Sequence, residues 1–347
     1  MPNTLLTAAL DRAASGRDLS AEEAAEVLRE IMEGRASEVQ TAALLIALRA
    51  KGETAEELTG LARTMRDLSL KVEVPGDGAL ALLDTAGTGG GRPTFNVSTT
   101  AALVAAGAGC RVAKHGNRSA TGLSGSADLL EALGARIDLD PPAIAQCIAE
   151  VGFGFMFAPR HHTAMRHVVP VREELAVRTI FNFVGPITNP AGATRQVIGV
   201  ADQDFLDTVA GALGALGGQR ALVVSSEDGL DEISVSAPTR VVELRDGERR
   251  RFRISPAELG VDPVPQNALG AGTPERNAEV ARAVLAGEPG AERSVTVLNA
   301  GAAIYVAGGA DDLIGGVRAA EQAIDSGAAL GVLERYLEAS RRLAPAA

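Results

Sequence analysis

The chain has 347 residues, 46% of them hydrophobic and 22% charged, which suits one large globular domain or two with a sizeable core. Its net charge of −11 argues against a nucleic-acid partner, which needs a basic face, and requires any anionic substrate to be captured by a local basic patch. No apolar run approaches membrane-spanning length, the start Met1-Pro2-Asn3-Thr4 lacks a signal-peptide pattern, and Cys110 and Cys147 have no metal-ligand spacing, so the expectation is a cytoplasmic protein with buried, reduced thiols and no membrane partner.

In chain order, Leu5 to Leu70 is helical in pattern. Ser20 with Glu23 forms a capping-box signature, Gly34 ends that helix, Ser37 opens the next, and Thr54 caps a third with Leu58, Leu61 and Met65 at helical spacing. This predicts a helical subdomain over 1–70. A Pro-Gly-Asp-Gly linker follows within 71–79, and an α/β domain runs from 80 to 347. Leu80 to Leu83 reads as a strand entering the loop Gly87-Thr88-Gly89-Gly90-Gly91, and Asn96-Val97-Ser98-Thr99 opens an alanine-rich helix. The pattern repeats: Arg111 to Ala113 as a strand, Lys114-His115-Gly116-Asn117-Arg118-Ser119 as a polar loop, then a helix from Ser124-Gly125-Ser126. Two successive strand–loop–helix units predict a parallel sheet with both loops at the strands' carboxyl ends.

Further on, Asp140-Pro141-Pro142 starts a helix and Phe153 to Phe157 is a strand. Val197 to Val200 and Ala221 to Val224 are strands around a helix from about 205 to 216. Val241 to Ile254 is a hairpin about Asp246-Gly247. A helix from about 274 to 285 is followed by a strand, Val295 to Leu298, and two closing helices. The fold class is therefore α/β: a small N-terminal helical subdomain and a large domain with a central, largely parallel sheet.

The chemistry concentrates between Asp84 and Glu131. Glycines let backbone N–H groups approach an anion, Ser and Thr at a helix start add hydroxyl donors, and the helix N-terminus favours negative charge. Gly87, Thr88, Gly89, Gly90, Thr94, Asn96, Val97, Ser98, Thr99 and Ser126 form such a cradle, and Lys114 and Arg118 add full charges. The residues ask for a phosphate-rich ligand, although Ser98 and Thr99 also suit plain helix capping. Asp231-Glu232 follows a strand. By itself the pair fits a solvated acidic turn or a hydrated divalent cation. Arg172 by itself fits a helix face paired with Glu173 or Glu174, His161 reads as a surface residue, and His115 suits a positioning role.

The run G-T-G-G, then T-F-N-V-S-T, K-H-G-N-R and S-G-S-A-D-L-L-E, with D-G-L-D-E-I-S downstream, resembles the anthranilate phosphoribosyltransferase family over nearly the whole chain. The resemblance implies transfer of a phosphoribosyl group from phosphoribosyl pyrophosphate to the amine of anthranilate, releasing pyrophosphate. It adds His115, Gly116, Asn117, Arg118 and Ser119 to the donor cradle. It implies Gly87, Asn117, His162 and Arg172 as the anthranilate site, and Mg²⁺ as cofactor on Asp231 and Glu232 with Ser98. It also implies a homodimer formed through the helical subdomain, against which 165–175 packs. The acceptor is a neutral arylamine, so electrostatic stabilisation by Lys114 and Mg²⁺ is expected without an acid/base residue. A pyrimidine-nucleoside phosphorylase and a nucleic-acid-binding relative are the alternatives. They are disfavoured by the K-H-G-N-R run with the acidic pair, and by the net charge, respectively. Two departures stand out: Thr163 replaces a proline, and Gly91-Arg92 replaces an Asp-containing loop that is one residue longer. Arg92 is expected to touch the pyrophosphate in compensation.

Overall fold

The computed structural model describes residues 1–75, 81–119 and 122–345. Much of the 71–79 linker and Leu80 lie outside that range. Four helices come first: α1 (Thr4–Ala14), α2 (Ala21–Met32), α3 (Glu38–Lys51) and α4 (Ala55–Asp67). Both capping boxes form, Ser20 with Glu23 and Thr54 with Glu57, each satisfying two otherwise orphan N–H groups for about 1 kcal/mol. The fully buried Glu57 carboxylate accepts from the N–H groups of Leu19 and Thr54 (both 2.9 Å) and from Lys51 Nζ (3.1 Å), and these three donors offset its desolvation. Arg66 ties this bundle to the larger domain through the carbonyls of Ile187 (2.9 Å) and Leu216 (3.1 Å).

The larger domain runs β1 (Leu83–Gly87), α5 (Val97–Gly107), β2 (Val112–Gly116), α6 (Ser126–Leu133), α7 (Pro141–Val151), β3 (Phe153–Phe157), α8 (Ala158–His161), α9 (Val169–Leu175), α10 (Phe181–Val184) and β4 (Arg195–Gly199). It continues with α11 (Leu206–Ala215), β5 (Arg220–Ser226), β6 (Thr239–Arg245), β7 (Glu248–Ile254), α12 (Pro274–Leu285), α13 (Ala291–Ala307), α14 (Leu313–Asp325) and α15 (Ala328–Leu343). The sheet order is β3-β2-β1-β4-β5-β6-β7, parallel from β3 to β5 and antiparallel over the last two pairings. The chain leaves β1 toward β2 on one side and later returns to β4 on the other. The loop after β1 therefore opens at the topological switch point, where open α/β sheets bind ligands.

One core lies between the sheet and α5, α6, α7 and α12–α15; the other joins the N-terminal bundle to the opposite face of β4 and β5. Segment 163–175 packs on α2 and α3. Two strand expectations are corrected. Among the described residues β1 runs from Leu83 and pairs in full with β4 as far as Gly199, while the expected start at Leu80 lies outside the described residues. β2 begins at Val112 and extends to Gly116, so Lys114 and His115 are strand residues paired with Phe155 and Met156 rather than loop residues. Val295 to Leu298 lies inside α13, which is buried on nearly every side. A helix without a polar face has no amphipathic period, and a β-branched run within it imitates a strand.

Candidate active site

Gly87 ends β1, and the Thr88 N–H donates to the Gly199 carbonyl (2.8 Å), fastening the loop to the end of β4. Gly89 and Gly90 take φ of +64° and +78°, a region in which side chains are strained. The Gly89 N–H donates to Asp231 Oδ2 (3.0 Å). A Cβ on Gly87 would stand 2.8 Å from Asp231 Oδ2, and one on Gly91 would stand 2.7 Å from Oδ1. The carboxylate is seated between two positions that only glycine fits. Arg92 turns away: its N–H donates to the Gly229 carbonyl (2.7 Å) and its guanidinium pairs with Asp228 (3.1 Å). Arg92 thus stands on an acidic partner, Asp228, from which it would have to turn to reach a pyrophosphate.

Beyond the loop, Thr94 Oγ1 donates to the Phe95 carbonyl (2.7 Å). Asn96 accepts from Ser124 Oγ (3.0 Å) and Asn277 Nδ2 (2.9 Å) and donates to the Ser124 carbonyl (3.0 Å). It therefore knots the starts of α5, α6 and α12 together and does not cap α5 with its side chain. Neither Ser98 nor Thr99 is a cap, contrary to the capping alternative. Ser98 Oγ accepts from Lys114 Nζ (3.4 Å), and Thr99 Oγ1 donates to Ser126 Oγ (2.9 Å). The first turn of α5 therefore has no side-chain cap, an arrangement that suits an anion at its N-terminus. The start of α6 differs, for Asp128 already accepts from the Gly125 (2.8 Å) and Ser119 (3.2 Å) N–H groups.

Lys114 is 1% exposed and donates to the Thr85 carbonyl (2.5 Å). Burial pulls its pKa down to about 8, outweighing the opposite pull of Asp84 and Glu232. Asp84 is fully buried and raised to about 6 by the same desolvation, although it accepts from the His115 N–H (3.1 Å) and Asn189 Nδ2 (2.7 Å). Arg118 adds less charge than expected. Its guanidinium is paired with Asp128 (2.7 Å) and Glu131 (2.5 Å) and stacks over Phe157. Asn117 holds the same turn, accepting from the Arg118 N–H (2.7 Å) on its side chain and from the Ala127 N–H (3.2 Å) on its carbonyl.

Asp231 and Glu232 are not a solvated turn. Burial raises the pKa of both, and Glu232 stands well above the usual carboxylate range because Asp231 and Asp228 add like charge. Glu232 Oε2 is buried and makes no hydrogen bond among the described residues, a costly state for a carboxylate oxygen. The described residues contain no group of three or more acidic, His or Cys side chains able to hold a metal alone. Two carboxylates, one of them with an orphan oxygen, fit a hydrated Mg²⁺ completed by phosphate oxygens and water.

On the acceptor side, His162 is buried and its ring lies 5.1 Å from that of His115. Burial lowers both, His162 to about 4, so both rings are neutral at pH 7. His161 is also buried, at 1% exposure, with Nδ1 on the Leu70 carbonyl (2.8 Å). The surface expectation fails because α8 folds back under the segment leaving the helical bundle. Arg172 makes no ion pair with Glu173 or Glu174. Its half-buried guanidinium lies over the Phe181 ring, and burial lowers its pKa.

The sequence reading missed Asp84, Asn189 and Asp228, which hold the site from beneath, and Arg178, whose Nη2 donates to the Gly89 carbonyl (2.6 Å). Arg178 stands six residues after Arg172 in the run Val171-Arg172-Glu173-Glu174-Leu175-Ala176-Val177-Arg178-Thr179, where a second arginine is the signal that could have pointed to it.

A model of the glycosyl transferase family α/β domain matches residues 80–330, and one of the family's helical bundle domain matches residues 7–69. The anthranilate phosphoribosyltransferase of Rubrobacter xylanophilus is 53% identical over 342 residues, covering 98% of this chain and 99% of that protein. The chain belongs to the anthranilate phosphoribosyltransferase family. Among solved members, the Thermus thermophilus enzyme is 46% identical with a TM-score of 0.90, covering 96% of this chain and 99% of its own. The Saccharomyces cerevisiae enzyme in complex with PRPP and Mg is 26% identical with a TM-score of 0.88, covering 97% and 98%. The same yeast enzyme is also known with 4-fluoroanthranilate.

Proposed function

We propose that this chain uses the glycine loop, the open first turn of α5 and Lys114 to bind phosphoribosyl pyrophosphate, and that it transfers the phosphoribosyl group to anthranilate in tryptophan biosynthesis. The observation that carries the site assignment is the buried Lys114 ammonium. It projects from the middle of β2 toward the Ser98 hydroxyl at the start of α5, with the Asp84 and Glu232 carboxylates within its field. Asp231 and Glu232, with Ser98, would hold Mg²⁺, which would supply the charge neutralisation that a pyrophosphate leaving group requires. The first-turn N–H groups of α5 receive phosphate oxygens, while the Thr88 and Gly89 N–H groups, already held by the Gly199 carbonyl and Asp231, fix the shape of the loop beside them, and Lys114 holds a full positive charge where negative charge grows. The hydroxyls of Thr94, Thr99 and Ser126, and the turn from His115 to Ser119, complete the donor side.

Arg172 suits the planar carboxylate of anthranilate, and among the described residues no acidic side chain pairs with its fork. Asn117, His162 and the Gly87 backbone orient the ring and amine. The amine is neutral at pH 7 and needs no base before attack, and the neutral His115 and His162 rings are consistent with positioning alone.

The chain further acts as a homodimer built on the helical bundle. Val39, Ala43, Ile46 and Ala50 lie at successive helical spacings on α3 and are all exposed, with Val39 at 78%. Val169, which starts α9, and Val177, just past its end, are also exposed, and α9 packs on α3. An apolar stripe on a helix whose opposite face is already packed is the surface a second copy would cover.

Anthranilate fluorescence tests the activity directly. It should decay only when phosphoribosyl pyrophosphate and Mg²⁺ are both present. Decay without the donor, or none with it, would remove the assignment.

A further inference from the structure

Arg178 lies between α9 and α10, outside the cradle and apart from the acceptor residues, yet it makes three connections. Its Nη2 donates to the Gly89 carbonyl (2.6 Å). Its carbonyl accepts from Arg49 Nη1 on α3 (2.8 Å), a bond between the helical bundle and this segment. Its charge also acts on Asp231, opposing the rise in that carboxylate's pKa. The guanidinium lies so closely over Gly90 that a Cβ there would overlap Nη2. The Gly89 residue is thus gripped from both sides, its N–H by Asp231 (3.0 Å) and its carbonyl by Arg178.

We infer that Arg178 is a positioning residue that fixes the glycine loop in its donor-binding shape and links that loop to the segment carrying Arg172 and to the helical bundle. This rests on the phosphoribosyltransferase reading above. Gly89 and Gly90 have the freest backbones in the loop, and a free backbone must be ordered at the moment the donor binds. A charge-assisted bond to a backbone carbonyl restricts the loop beforehand. Lysine at this position could reach the carbonyl with one donor but could not lie flat over Gly90.

The test compares wild type with Arg178→Ala and Arg178→Lys. Michaelis constants would be measured for each substrate, donor affinity by calorimetry with Mg²⁺ and no anthranilate, and hydrogen exchange in peptides spanning 85–95. Arg178→Ala should raise the donor KM and Kd about tenfold or more. It should speed exchange at Gly89 and Gly90, leave the anthranilate KM within about threefold, and leave Tm unchanged. Arg178→Lys should recover part of the donor affinity. Unchanged donor affinity together with unchanged loop exchange overturns the inference. So does a loss that falls equally on both substrates with a lowered Tm, which marks a purely structural role. A wild-type protein that neither binds the donor nor consumes anthranilate would instead defeat the functional reading, and the exchange comparison would still report whether Arg178 orders the loop.

Discussion

Lys114 and Asp84 carry opposite charges in one buried region, yet each is shifted toward its neutral form, because desolvation exceeds their mutual attraction. The signs have separate consequences. Lys114 in the folded chain loses its proton from about pH 8, against 10.5 for the ordinary lysine, so the charge available to the pyrophosphate disappears above pH 8. The kcat/KM profile should therefore show an alkaline limb with an apparent pKa near 8, and the kcat limb should lie higher because bound phosphates retain the proton. Between about 8 and 10.5 the unfolded chain holds the extra proton, so this group adds stability as pH rises through that window. Asp84 acts in the other direction: between 3.8 and about 6 the folded chain holds the extra proton, and stability falls as pH rises. Lys114→Gln should cut kcat/KM by roughly a hundredfold or more and abolish the alkaline limb. A limb that survives the substitution would belong to another group. Replacing the acidic pair by Asp231→Asn with Glu232→Gln should abolish or greatly weaken Mg²⁺ binding by calorimetry and sharply reduce turnover. Arg172→Ala should raise the anthranilate KM roughly ten- to a hundredfold while changing the donor KM little, in keeping with the loss of one charge-assisted contact.

At the scale of elements, what was legible depended on whether a local rule decided the outcome. Ser20, Ser37 and Thr54 cap where the pattern places them, and Asp246-Gly247, both at positive φ, turn the β6–β7 hairpin. These features rest on residues a few positions apart. The burial of Lys114 and His161 and the helical state of Val295 to Leu298 rest on strands and helices paired from distant sequence, which no local window contains. The site divides in the same way. The proposed cradle rests on contiguous motifs that a local reading offers; the grip on Gly89 joins residues 89, 178 and 231, which no local reading brings together. One element carries a local conflict. Ala176 ends α9 at φ +51°, a conformation that costs an alanine about 1 kcal/mol or more. Ala176→Gly relieves that cost but adds freedom to the unfolded chain, so a net gain of about 0.5 kcal/mol is expected from denaturant titration. A loss of stability would mean that the Ala176 methyl makes a contact worth more than the strain.

The molecule as a whole places the glycine loop at the sheet's switch point and its helical bundle against segment 163–175, with Arg49 of α3 reaching the carbonyl of Arg178. The exposed stripe from Val39 to Ala50 belongs to that same helix, so the surface assigned to a second copy and the link to the glycine loop share one rigid rod of 14 residues. The buried face of the helix, Leu44, Leu45 and Leu48, fixes its orientation within the bundle. Changing the exposed face alone should therefore separate subunits without unfolding either. Ile46→Glu sets a charge in the stripe of each copy, and two like charges facing across a two-fold axis cost more than the apolar contact they replace. Analytical ultracentrifugation at micromolar concentration should show twice the chain mass for the wild type and the single-chain mass for the variant, with unchanged far-ultraviolet circular dichroism. If α3 also steadies Arg178, the separated chains should show a raised donor KM while their anthranilate KM moves less. A variant that keeps the wild-type mass would place the subunit interface elsewhere and leave the stripe without a partner.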